Sequence, residues 1–202
     1  MRRDREGRKD GVPGSVRIGV TFACVPVVNR GLAPTEAISF LEWLLKNREE
    51  LRSVKESLLR SNTRNVFVAD SDGEEVAEFK AIQAVCQKIE RRRTELEKTS
   101  GFEKLYHKVV AHYFGGMRRH LRALHPKLKP KASLAYVLGD QLSFLMVPIA
   151  TAALLGEVAE AEGFKVVGRE LWRERIGTKI RNSETNQRTV RVRDEILILE
   201  KN

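Results

Sequence analysis

Between Lys131 and Asn202, four apolar segments follow one another in an order that few folds accommodate. Leu134-Ala135-Tyr136-Val137-Leu138 reads as a short strand closed by Gly139-Asp140. Met146 to Glu162 is rich in Ala and Leu, reads as a helix, and is ended by Gly163. Phe164-Lys165-Val166-Val167-Gly168 starts another strand, and Arg193 to Lys201 (RDEILILEK) is the last. A strand, a crossover helix, a strand and a final hairpin partner make the closing segment of a doubly wound α/β sheet. Such sheets bind their cofactor at the carboxyl ends of the first strands. The cofactor loop is therefore expected upstream, and the upstream sequence has no glycine-rich turn of that kind.

The 202 residues suffice for one large or two small domains, and a hydrophobic content of 42% argues against a wholly disordered chain. Lys and Arg number 37 against 27 acids, a net charge of +10 that points to a polyanionic partner, nucleic acid being the commonest. Cys24 and Cys86 are too few for a disulfide framework and have no CxxC spacing, which fits a reducing cytoplasm. The N-terminal MRRDREGRKDG lacks the apolar core of a secretory signal. The longest apolar run, Phe144 to Leu155, is too short to span a bilayer, so no membrane association is expected.

Residues 1–15 read as a disordered basic tail. Val16 to Val28 is β-branched and apolar, as a buried strand would be, and residues 16–34 carry that strand and the turn after it. Residues 35–130 read as a helical insertion of about 90 residues between two strands. Thr35 is placed to cap its first helix, which Ile38, Leu41, Leu45, Val54 and Leu58 continue. A second helix is expected over 74–98, after the Asp70-Ser71-Asp72-Gly73 turn, and a third over 102–124, stopped by Pro126. Residues 131–202 form the closing α/β segment described above.

From about Lys46 onward the chain resembles the C-terminal half of S-adenosylmethionine-dependent DNA amino-methyltransferases, which methylate adenine N6 or cytosine N4. The stretches that carry the resemblance are LLRSNTRNVFVAD, IERRRTELEKTSGFEKLYHKVVAHYFGGMRRHL, LAYVLGDQLSFLMVPIATAALLGEVAEAEGF and the terminal EILILE. The resemblance implies part of a Rossmann-like methyltransferase sheet whose last strand runs antiparallel to its neighbours. It implies S-adenosylmethionine as cofactor, DNA as substrate, and a role in restriction-modification or host-defence marking.

Members of that family carry a glycine loop of the type FxGxG, absent here, so this chain alone is not expected to hold the cofactor. They also carry a Ser/Asp/Asn-Pro-Pro-Tyr tetrapeptide that accepts hydrogen bonds from the target amine and stacks on the flipped base. Cys24-Val25-Pro26-Val27-Val28-Asn29-Arg30 stands in its place, after an apolar strand. Pro26, Asn29 and Arg30 match; Cys24, Val25 and Val27 depart. A thiol is a weak acceptor, and valine cannot stack as tyrosine does, so methyl transfer by this motif is expected to be poor or absent. Two explanations stand side by side. The chain is a truncated or frame-disrupted methyltransferase, or it is a non-catalytic nucleic-acid-binding or specificity subunit that completes a two-chain enzyme. Either leaves sheet surface uncovered, so a partner chain or poor solubility is expected.

Gly139-Asp140 stands where such sheets bind ligands; the acid either lines a cofactor or substrate pocket or caps a turn. Arg91, Arg92, Arg93, Arg118, Arg119 and Arg122, with Lys127, Lys129 and Lys131, are expected to form a basic surface, which either neutralises DNA phosphates or is simply solvated. Asn62, Thr63, Arg64 and Asn65 form a polar loop able to read base edges or to cap helices. A third reading takes Arg119 and His125, in RHLRALH, as the Arg/His pair of a helical ribonuclease, against an ordinary basic helix end. His107, His112, His120 and His125 fall on different helix faces without ligand partners at metal-binding spacing, so no metal is expected. Trp43 and Trp172 are expected to be packed.

Overall fold

The computed structural model describes residues 18–20, 49–50, 58–61, 63, 66–67, 69–180 and 188–202. Its elements are β1 (Ile18–Val20), α1 (Lys80–Glu95), α2 (Tyr106–Leu124), β2 (Ser133–Gly139), α3 (Thr151–Ala161), β3 (Phe164–Ile180) and β4 (Arg188–Lys201). The fold is mixed α/β. Cys24, Pro26, Asn29, Asn62, Arg64, Trp43 and the Thr35 cap lie outside the described residues, as do the first 15 and most of the expected first helix; of that helix Glu49 and Glu50 are helical, while Leu58, expected to continue it, lies in a bend and is 49% exposed.

The strands form one sheet in the order β1-β2-β4-β3. β1 runs parallel to β2, with Ile18 opposite Leu134. β4 runs antiparallel to β2 on one side and to β3 on the other, so the last strand is inserted between the two that precede it. β2 and β3 are consequently parallel, and α3 is the crossover that parallel strands require.

Side-chain alternation explains how the sheet buries itself. In β2, Leu134, Tyr136 and Leu138 are buried while Ser133 and Ala135 are exposed. The register sets Leu134 opposite Leu199 and Tyr136 opposite Leu197, and directly opposed residues share a face. α2 and α3 cover that face. His120 of α2 reaches the Tyr136 hydroxyl at 3.1 Å, and Gly156 of α3 lies against Val166 and Leu197. α1 packs on α2 through Ile82, Cys86 and Ile89, at the spacing of an amphipathic stripe. One continuous core runs from Val76 through α1 and α2 to β2, α3 and β4, so the helical insertion is built into the sheet's own core.

Several boundaries differ from the sequence reading, each for a physical reason. The helix expected over 74–98 is split. A 3-10 turn spans Asp72–Val76, and α1 starts only at Lys80, after the extended Phe79. The helix expected from Met146 begins at Thr151 because Leu145 and Met146 both have positive φ, which no right-handed helix tolerates. Gly163, at φ +85, ends the helical stretch in the left-handed conformation that glycine adopts freely. Pro126 follows α2 as expected, inside a short 3-10 turn. β3 runs on to Ile180, far beyond Gly168, with register shifts near Val166, Leu171 and Ile176. Trp172 is on that extension and is 64% exposed, so it is not a packing residue.

Candidate functional site at the carboxyl end of β2

β2 and β1 are parallel, so their carboxyl ends share one sheet edge. At that edge Gly139 gives way to Asp140, and the chain loops out before returning as α3. Backbone hydrogen bonds between Gln141 and Ile149, at 3.1 and 2.9 Å, close the loop at its neck. Asp140 Oδ1 accepts the Thr151 amide at 3.1 Å, and the Thr151 hydroxyl donates to the Gly139 carbonyl at 2.9 Å. Asp140 thus caps the start of α3. Burial raises its carboxyl above the ordinary aspartate value despite the Thr151 amide.

Beside this edge lies a cavity of about 240 Å³. Tyr106, Val109, Val110, Tyr113 and Phe114 of α2 form one wall. Phe144, Ser143 and Gln141 of the loop form another, and Arg60, Ser61 and Thr63 add a polar rim. Tyr106 and Phe144 stand ring to ring at 5.0 Å, and Tyr113 meets Phe114 edge-on at 5.1 Å. Aromatic faces with a few polar side chains suit a flat, partly apolar ligand.

A buried polar network holds the rim in place. Arg60 is 5% exposed, and its Nε donates to Asp70 Oδ2 at 2.5 Å while a second nitrogen donates to the Leu58 carbonyl. Its guanidinium also lies over the Phe67 ring. Asp70 Oδ1 accepts the Asp72 amide at 3.2 Å. Burial alone would raise the Asp70 carboxyl, but Arg60 and that amide hold it below the ordinary value. Asp72, paired with Arg119, is instead raised, chiefly by burial. His112 Nδ1 accepts the Gly73 amide at 2.9 Å, so this nitrogen carries no proton. Its 3.4 Å approach to Asp70 is therefore not a hydrogen bond, and burial lowers the His112 pKa, favouring the neutral ring.

The network was not anticipated from sequence, although Arg60 and Asp70 both stand in LLRSNTRNVFVAD. A buried arginine demands an acid, and Asp70 stands ten residues after Arg60 in the same stretch. In the sequence Phe144 is only the start of the apolar run to Leu155 and Tyr106 only part of a stretch that carries the resemblance, because a cavity between distant segments has no periodicity.

The expected basic surface is largely spoken for by acids. Arg118 pairs with Glu162 at 2.6 Å and Glu78 at 2.6 Å, and it also donates to the Glu75 carbonyl. Arg122 pairs with Glu75 and Glu162, and Arg119 with Asp72. These three arginines bind α2 to the 3-10 turn and to the end of α3. On α1, Arg93 pairs with Glu90 and Arg92 with Glu95, while Arg91 is exposed. Lys127, Lys129 and Lys131 are exposed near the start of β2.

The four histidines are dispersed: His107 beside Glu90, His112 on Gly73, His120 on Tyr136, and His125 edge-on to Phe164 at 5.1 Å. No group of potential metal ligands occurs among the described residues. Arg119 faces Asp72 while His125 faces Phe164, so the two do not converge on one site. Among the described residues no helix is long and apolar enough to cross a membrane.

No protein-family model, curated protein or solved structure matches this chain.

Proposed function

We propose that the chain supplies the closing half of a DNA amino-methyltransferase, and that its cavity receives the flipped adenine or cytosine. The observation that carries this reading is the strand order. The last strand is inserted antiparallel between two parallel strands joined by a crossover helix, the arrangement that the resemblance implies. The aromatic cavity at the carboxyl edge of β2 supports it, because ligands of open α/β sheets bind at that edge. Tyr106 and Phe144 would hold the base by stacking, with Gln141, Ser143 and Thr63 at the rim to contact its polar edge.

S-adenosylmethionine would supply the methyl group when bound. The residues of this chain would position the target base; positioning is the larger share of such catalysis. The departures at Cys24, Val25 and Val27 favour a second form of the same reading, in which the chain holds DNA and another chain carries the transferring motif.

The test is binding of duplexes that differ only in the cost of flipping. A duplex whose central adenine or cytosine faces an abasic site should bind the full chain more tightly than the matched duplex, since an unpaired base is cheaper to extrude. Tyr106→Ala should abolish that preference. Equal affinity for both duplexes in the wild type would refute the base-pocket reading.

A further inference from the structure

The β3–β4 hairpin is longer than the sheet it belongs to. The last β2–β4 pair is Gly139 opposite Asp194, yet β3 and β4 stay paired through Glu174–Arg193 and on to Ile180–Arg188. A two-stranded ribbon of residues 174–180 and 188–193 therefore overhangs the carboxyl end of β2. At roughly 3.3 Å per residue it projects ~20 Å beyond that end of the sheet.

The ribbon has little reason to be stable alone. Two strands without a packed face are marginal in water. Along β3 the alternation of buried and exposed residues stops at its root, where Leu171, Trp172 and Ile176 are 56, 64 and 67% exposed, and on β4 Val192 is buried between the exposed Arg191 and Arg193. Its charge is one-sided. From Arg173 to Asp194 the sequence has seven Lys or Arg against three Asp or Glu. The ion pairs are lopsided in the same direction. Arg173 and Arg175 share Asp194, at 2.6 and 2.8 Å, and Arg191 and Arg193 share Glu174, at 3.0 and 3.9 Å. Each carboxylate faces two guanidiniums, which leaves positive charge over on both strands. Unlike Arg118 and Arg122, which are tied between elements of the core, Arg191 and Arg193 are open to solvent.

A polyanion is the partner this surface complements, and the major groove of a duplex is wide enough for a two-stranded ribbon. We infer that the β3–β4 ribbon is a DNA-docking arm. It lies in the groove, with its arginines on the phosphates, while the base leaves the stack for the neighbouring cavity. This rests on the reading of the chain as DNA-binding and adds an element that the sequence reading did not assign to DNA.

The experiment measures affinity of the full chain for a fluorescein-labelled duplex between 50 and 200 mM salt. Each phosphate contact contributes ~0.9 to the slope of log K against log salt. Arg191→Gln/Arg193→Gln should make that slope shallower by about 2. Glu174→Gln, which frees both arginines, should bind more tightly than wild type, a gain that a misfolded protein cannot produce. An unchanged slope in the double variant, or weaker binding by Glu174→Gln, overturns the arm even if the wild type binds DNA and Tyr106→Ala loses its abasic preference. Equal affinity for a single strand of the same length overturns the groove assignment. Absence of salt-dependent binding by the wild type overturns the DNA reading and the arm together.

Discussion

Gly115 is where α2 and the Asp72–Val76 turn come closest, and replacing it by alanine is the sharpest stability test of this fold. A Cβ built there would overlap the Asp72 carbonyl oxygen and sit 2.5 Å from the carbonyl carbon. Both neighbours are backbone, so no rotamer change relieves the contact; the turn has to move. The turn is held by the His112–Gly73 hydrogen bond and the Arg119–Asp72 pair, and Asp72 itself is 3% exposed. Losing one such buried hydrogen bond costs about 1–3 kcal/mol. Overpacking adds about 1–3 kcal/mol. Alanine's better helix propensity returns about 1 kcal/mol. The net expectation is a loss of about 3 kcal/mol, or a fall in Tm of roughly 6–12 °C for a chain of this length. Thermal unfolding followed by circular dichroism reads it directly. Gly101→Ala is the control: nothing lies within 4 Å of its added Cβ, so its Tm should match wild type. A Gly115→Ala protein melting within about 2 °C of wild type would refute the packing of the turn on α2.

Two further outcomes follow from the ion pairs and the cap. Glu162→Gln should lower stability by about 2 kcal/mol, since it leaves Arg118 and Arg122 short of a shared carboxylate at the end of α3. Burial alone would raise the Glu162 carboxyl, but Arg122 and Arg118 hold it below the ordinary value. Its stabilisation is therefore present above the unfolded-state glutamate pKa and is lost as pH falls through the folded one. Urea midpoints of wild type and variant should converge on acidification, and a gap that widens would contradict the clasp. Asp140→Ala should cost about 1 kcal/mol through the exposed start of α3, while the abasic-duplex preference stays intact. Loss of that preference without loss of stability would make Asp140 a base contact instead of a cap.

The order strand, helix, strand, strand across 131–202 was legible because each signal is local. β2 alternates, α3 is a run of strong helix formers closed by Gly163, and Ile196 to Leu199 is an unbroken apolar run between Glu195 and Glu200. The start of α3 was not legible. It depends on the left-handed Leu145 and Met146 and on the Asp140 cap, which only the returning loop brings to Thr151. The extent of β3 was hidden for the opposite reason. From Arg169 to Ile176 no residue of the strand is buried, so no period of two is printed there, and pairing with β4 keeps it extended.

The candidate site divides along the same line. By itself, the sequence determined composition, net charge and the amphipathic stripes of α1 and α2, since these depend on neighbours three or four residues away. It also showed the departures at Cys24, Val25 and Val27 from the motif that the resemblance implies. Tertiary structure alone decided which charges are free. Arg118, Arg119 and Arg122 look in sequence like a basic helix face, yet acids from the 3-10 turn, from Glu78 and from Glu162 claim them. Tertiary structure also decided that Tyr106 and Phe144, which are far apart in the chain, meet ring to ring at 5.0 Å and line one cavity. Charge pairing and cavities arise between segments that only the fold makes neighbours, and no local pattern in the chain encodes them.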